Sequence, residues 1–187
     1  MASRTQIVCL CEGARGTSID GVFINKLLKA LKPSWVRPEG SNVVNPLPCG
    51  SRAQVVKRTP DELKRCLNRG SDTTLMVWAD CDNDCADADA LKNVFWNEAE
   101  QHHITKEDFD RIVFVFAKDR LENWIEFLTT GKTDESHEGP RVKHGRTVAD
   151  AAKKLADLCL AGKPIRDMPL SLRWSCEKWR ELVKKMK

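Results

Sequence analysis

The stretch Thr73-Thr74-Leu75-Met76-Val77-Trp78-Ala79-Asp80-Cys81-Asp82-Asn83-Asp84 constrains the chain most. An apolar run without proline or glycine ends abruptly in acids at alternate positions. Leu75 to Ala79 reads as a buried strand in the middle of a sheet. The acids then fall at its carboxyl end, where open α/β sheets keep their ligands. Side chains alternate along a strand, so Asp80 and Asp82 share a face as long as the extended geometry continues. Carboxylates held that close repel each other and favour a divalent cation, which suits hard oxygen ligands. A solvated acidic loop between strand and helix is the alternative reading of these acids taken alone. A second acid in a matching position upstream, Glu12, favours a site.

Gln6 to Leu10 reads as a first strand, followed by Cys11-Glu12-Gly13-Ala14-Arg15-Gly16-Thr17. Glycines after a strand permit a tight turn and close approach to a ligand. Thr17 or Ser18 can cap a helix whose apolar positions Val22, Phe23, Leu27, Leu28 and Leu31 have helical spacing, with Pro33 ending it. Ser34 to Val44, broken by Pro38 and Gly40 and followed by Pro46, Pro48 and Gly50, predicts a second strand and a structured loop. Thr59-Pro60-Asp61-Glu62 reads as a helix start, with proline at the first helical position and acids in the first turn. Asp87 to His102 predicts a further helix with Leu91, Val94, Phe95 and Ala99 inward. Arg111 to Ala117 is the clearest strand, and Lys118 to Leu128 follows with helical periodicity.

The segment from Lys132 to Arg146 is polar and reads as an exposed loop. Helix resumes at Thr147, its cap, through Leu160 to a stop at Gly162, and a last helix covers about Leu172 to Met186. Alternating strands and helices predict an α/β, Rossmann-like fold: a largely parallel central sheet flanked by helices, plus a C-terminal helical extension. Residues 1–130 are expected to form the α/β domain. Residues 131–187 supply the polar loop and the C-terminal helices, packed on it or appended to it.

Composition excludes little. With 187 residues, 31% charged and 41% hydrophobic, the chain is an ordinary globular one, and its net charge of +4 neither demands nor excludes a nucleic acid. No apolar run approaches the ~20 residues that span a bilayer. The start, Met-Ala-Ser-Arg-Thr, runs straight into a core strand, so a cytoplasmic protein without membrane contact is expected. The eight cysteines lack zinc-site spacing and are expected to be reduced thiols.

Two short motifs carry a resemblance. A strand ending in Glu-Gly (Ile7-Val8-Cys9-Leu10-Cys11-Glu12-Gly13) and a later strand ending in Asp-x-Asp (Leu75 to Asp82) resemble the TOPRIM domain. That domain is shared by topoisomerases, bacterial primases, recombination proteins, OLD-family nucleases and small stand-alone nucleases. The likeness covers roughly Gln6 to Ala117, and Asp119 to Trp124 resembles a strand-end segment of some small TOPRIM-like proteins. In the family an aspartate often follows the glutamate closely; here Asp20 comes late.

The resemblance implies Mg²⁺ or Mn²⁺ chemistry on the phosphodiesters of DNA or RNA. Asp80 and Asp82 would hold the metal, Glu12 would complete the site or handle a proton, and Asp84 and Glu122 are further candidate ligands. Arg15, Lys118, Arg120, Lys143 and Arg146 are candidate nucleic-acid contacts, with Arg141 and His144 in the same loop as the last two. Because the chain has no tyrosine, a tyrosyl-phosphate intermediate cannot form. A nuclease using water is the expected activity. Some TOPRIM-type nucleases are paired with ATPases in defence against phage or plasmids. A partner-dependent, non-catalytic subunit of an ATPase complex is therefore the second reading, and a homo-oligomer is left open.

Two other site classes fit less well. A calcium loop fails because Cys85 stands at its glycine position and Leu91 at its bidentate acid position. A HAD-type phosphatase expects Thr or Val where Asp84 stands, and its nucleophile normally comes near the N-terminus. Trp174 and Trp179 on the basic last helix read as packing residues or partner anchors.

Overall fold

The computed structural model describes residues 6–13, 19–31, 44–70, 73–82, 84–142, 145–161 and 167–185. Four strands, β1 (Gln6–Cys11), β2 (Val44–Pro48), β3 (Thr73–Cys81) and β4 (Val113–Lys118), lie in the order β2-β1-β3-β4. Every pairing is parallel. Parallel neighbours need crossovers, and helices supply them. They are α1 (Ile19–Leu31), α2 (Arg52–Arg69), then α3 (Ala88–Gln101) with the short α4 (Lys106–Phe109). The chain continues through α5 (Leu121–Thr130), α6 (Gly145–Ala161) and α7 (Leu170–Lys185). The architecture is the α/β, Rossmann-like one expected, with helices at its C-terminal end.

The period of two along each strand divides the core into two layers. Met76 and Trp78 of β3 pack with α1, α5, α6 and α7, whereas Leu75, Val77, Ala79 and Cys81 pack with α2 and α3. Trp78 centres the first layer, with the rings of Phe23, Trp124 and Trp179 5.5–5.9 Å from its own. Aromatic pairs of this geometry add about 0.5–1.5 kcal/mol each beyond area burial. Phe95, Phe109, Phe114 and Phe116 fill the second layer.

Strand β4 ends the sheet, and a bare edge invites pairing with other chains. Helix α7 covers it. Ser175 Oγ donates to the Phe116 carbonyl at 3.3 Å, and Trp174 stacks on Phe116 at 5.4 Å. Trp179 points into the other layer and is fully buried. Both tryptophans are packing residues.

Several sequence expectations shift. Helix α2 starts at Arg52, not at Pro60, which lies inside it. Ser51 caps it by accepting the Gln54 N–H at 3.4 Å, the Ser-x-x-Gln spacing of a capping box. Pro60 cannot donate to the Val56 carbonyl. The continuous inner face of Val55, Val56, Thr59, Pro60, Leu63 and Cys66 outweighs that loss. Strand β2 contains Pro46 and Pro48, tolerated because it is the other sheet edge. Most of the segment from Ser34 to Val44, where the second strand was expected, lies outside the described residues, as do Thr17, Ser18 and Gly162.

Val22 and Val94 are exposed, not inward. Each sits about 100° around its helix from a buried phenylalanine (Phe23, Phe95), off the inner stripe. β4 begins at Val113, two residues later than expected. The following helix begins at Leu121, because Asp119 adopts a left-handed φ of 63° that breaks the chain direction first. Helix α6 begins at Gly145, so Thr147 lies within it and does not cap it.

The thiol expectation fails at one pair. Cys159 on α6 and Cys176 on α7 are joined as a disulfide, with Cα atoms 5.5 Å apart. Packing of two successive helices against each other creates this pair, and linear spacing held no sign of it. The segment from Lys132 to Arg141 has no regular structure, yet it is not simply exposed. Gly139 lies so close to Asn123 at the start of α5 that a Cβ there would meet its backbone N at 2.8 Å.

Candidate acidic site at the strand ends

In a parallel sheet all carboxyl ends share one edge, which brings Glu12 beside Asp80. Cys11 is level with Trp78 across the β1–β3 pair. Glu12, the next residue, turns across so that its Oε1 accepts the Asp80 N–H at 2.8 Å. Asp80 continues the row of Met76 and Trp78, towards the layer of α1 and α5, whose first turns carry Asp20 and Glu122. The Asp80 Oδ1 is buried and has no hydrogen-bond partner among the described residues.

Burial pushes the Asp80 carboxyl well above its ordinary value, and the charges of Glu12, Asp20, Asp82 and Glu122 push it further. Burial also raises Glu12 and Glu122; the Asp80 N–H and Arg52 act against it at Glu12. Four carboxylates thus act on one buried carboxylate that has no counter-charge of its own among the described residues.

The other two acids behave differently. β3 ends at Cys81, so Asp82 leaves the strand alternation and its carboxylate turns to Arg52, 3.2 Å from Nη1. Arg52 Nη2 donates to the exposed Asp84 carboxylate, which this bond holds below its ordinary pKa. Arg52 Nη1 also donates to the Asp80 carbonyl at 3.3 Å. Arg52 is the site residue that sequence reasoning missed. The signal was present: a capping box directly after β2 sets the first helical residue at the same sheet edge.

The candidate basic contacts are dispersed. Lys118 continues the row of Phe114 and Phe116, on the sheet face opposite Asp80, and its Nζ donates to the Cys85 carbonyl at 3.1 Å. Arg120 is bonded to Glu138. Arg146 is 94% exposed and 3.9 Å from Asp150. Arg15, Lys143 and His144 lie outside the described residues. Beside Lys118 a cavity of about 480 Å³ opens between the starts of α3 and α7. It carries three carboxylates, Asp87, Asp89 and Glu135, against the one ammonium of Lys118. That balance does not suit a phosphate.

Among the described residues, no three His, Cys, Asp or Glu side chains converge into a ready-made metal cage. The donor chemistry nevertheless fits a hard divalent cation. Asp80 offers a buried oxygen with no partner beside Glu12, and Asp82 is held off by Arg52. No helix of the described residues is long and apolar enough to cross a membrane. The fold and this edge define a parallel α/β protein with a carboxylate cluster at its strand ends. Comparison with protein-family models, with curated proteins and with solved structures finds no match for the chain.

Proposed function

We propose that this chain is a metal-dependent nuclease of the TOPRIM type, hydrolysing phosphodiesters of DNA or RNA with Mg²⁺ or Mn²⁺. One observation carries the reading: the buried, unpartnered Asp80 oxygen in the field of Glu12, Asp20, Asp82 and Glu122. A protein keeps an uncompensated buried carboxylate at a cost in stability, and such groups concentrate where charge is used. Asp80 and Glu12 are the pair that would hold the cation, with Asp82 as third ligand on release from Arg52 and Glu122 as the acid for a second. The cation supplies polarisation of the phosphate and activation of water.

The chain's own groups do the rest. The Glu12 bond to the Asp80 N–H ties the ends of β1 and β3 together and fixes both carboxyl groups. Burial raises the Glu12 carboxyl above its ordinary value, which makes it a better acceptor for a proton from water. Arg52 is a cation on the same edge, positioned by Asp82 and Asp84 to meet a phosphate oxygen.

The test is incubation of plasmid, single-stranded DNA and total tRNA with the purified chain and Mg²⁺, Mn²⁺ or EDTA, beside Asp80→Ala and Glu12→Ala. Metal-dependent cutting lost in both variants supports the reading and identifies the substrate. Full activity in both refutes the site. Absence of cutting under every metal refutes a self-sufficient nuclease. It moves the reading to a partner-dependent subunit of an ATPase complex, which a pull-down then examines.

A further inference from the structure

Helix α2 begins at the acidic edge and runs away from it. Its 18 residues carry six basic side chains (Arg52, Lys57, Arg58, Lys64, Arg65, Arg69) against Asp61 and Glu62, a net +4 in one element. The neighbouring α3, in the same layer, carries Asp89, Glu98 and Glu100 against Lys92, a net −2. Charge is therefore segregated within this layer.

Lys57, Lys64 and Arg69 are exposed and have no ion-pair or hydrogen-bond partner among the described residues. Arg58 and Arg65 are organised from beneath. The buried Glu62 carboxylate accepts from Arg65 Nη1 at 2.6 Å and lies 3.7 Å from Arg58 Nη2, while the two arginine side chains stay 63% and 42% exposed. The helix that carries this face begins at the candidate site, where Arg52 in its first turn bonds the Asp80 carbonyl. At 1.5 Å per residue it extends about 27 Å from that edge. Among the described residues the exposed large hydrophobic side chains are Val22, Val94, Leu160 and Leu170, none of them on α2, so this face offers charge and not apolar surface.

We infer that the outer face of α2 binds the phosphate backbone of a nucleic-acid strand and guides it to the strand-end acids; the identity of the polyanion rests on the nuclease reading above. The contacts are to phosphates and are independent of sequence. They release counterions, so binding falls steeply with salt.

The experiment measures binding by the full chain to labelled single-stranded and duplex oligonucleotides in EDTA, by fluorescence anisotropy across a salt series. It compares wild type with Lys57→Glu/Lys64→Glu/Arg69→Glu. A control of equal charge change, Lys26→Glu/Lys29→Glu/Lys153→Glu on the opposite layer, runs beside them, and thermal melts confirm that all fold. Loss of three phosphate contacts on a duplex flattens the log–log salt slope by about 2.7. Over a fourfold rise in salt the wild type then loses affinity about 40-fold more than the α2 variant. The control is expected to keep the wild-type slope.

Equal slopes and affinities in the α2 and control variants overturn the inference, as does failure of wild type to bind at low salt. The two readings fail separately. Weakened binding in the α2 variant with no cutting by wild type leaves the surface standing and the nuclease reading fallen. Metal-dependent cutting with unchanged α2 binding does the reverse.

Discussion

Asp80→Asn is expected to stabilise the metal-free protein while removing the proposed nuclease activity. The exchange keeps the side chain's shape and deletes the charge at an acid whose Oδ1 is buried without a partner among the described residues. Leaving a buried polar atom unsatisfied costs about 1–3 kcal/mol, more when it is charged. Relief of that order raises the Tm of a chain this size by roughly 2–4 °C per kcal/mol, or about 2–12 °C.

The pH dependence fixes the cause. The Asp80 carboxyl is raised in the folded state above its ordinary 3.8, so the folded protein binds the proton more tightly than the unfolded chain. Its contribution is fully present below pH 3.8 and is lost as pH rises through the folded-state value. The gain of Asp80→Asn over wild type therefore grows with pH from about that point and levels off once Asp80 is ionised when folded. Calorimetry of both proteins in EDTA between pH 3.5 and 8 reads this directly. A lower Tm for the variant at neutral pH, or a gain independent of pH, would show that the carboxylate is satisfied in the fold and refute the reasoning.

Three further outcomes follow from particular contacts. Arg52→Ala is expected to cost no more than about 1 kcal/mol, since the acids it pairs are half exposed or more. It should also tighten Mn²⁺ binding by calorimetric titration, as a competing cation leaves; weaker binding would make Arg52 a scaffold for the acids. Removing the Cys159–Cys176 bridge by Cys159→Ser closes no loop across the separation of 17, a loss of about 3 kcal/mol, or roughly 6–12 °C of Tm; a shift under 2 °C counts against the bridge. Gly139→Ala sets a methyl against Asn123, 2.8 Å from its backbone N and 2.9 Å from the Glu122 carbonyl carbon. It should cost about 1–3 kcal/mol, and an unchanged melting curve would mean that this loop does not rest on α5.

Strands β1, β3 and β4 were legible because each is a continuous apolar run buried on both faces, and such runs are rare outside parallel sheets. With them came the sheet edge, and with the edge the pairing of Glu12 and Asp80. β2 was hard to read because its edge position tolerates the two prolines that ordinarily argue against a strand. The start of α2 was misplaced because Thr59-Pro60 imitates a helix beginning, while the true cap, Ser51, follows a glycine that reads as loop. The disulfide, the contact of Gly139 and the exposure of Val22 and Val94 depend on which elements meet, and local pattern does not carry that.

Misplacing the start of α2 by eight residues has a consequence for function. A helix beginning at Pro60 leaves Arg52, Lys57 and Arg58 outside it, whereas the candidate cations of the sequence are Arg15, Lys118, Arg120, Lys143 and Arg146. In the fold, Arg120 faces Glu138, Arg146 faces Asp150, and Lys118 holds a carbonyl on the far side of the sheet from Asp80. Starting at Arg52, the helix sets its first cation against Asp80, Asp82 and Asp84 and its unpaired ones along the face beyond. Acids that repel one another at an edge and a basic helix that begins beside them are the two features on which the proposed polyanion and divalent ion rest.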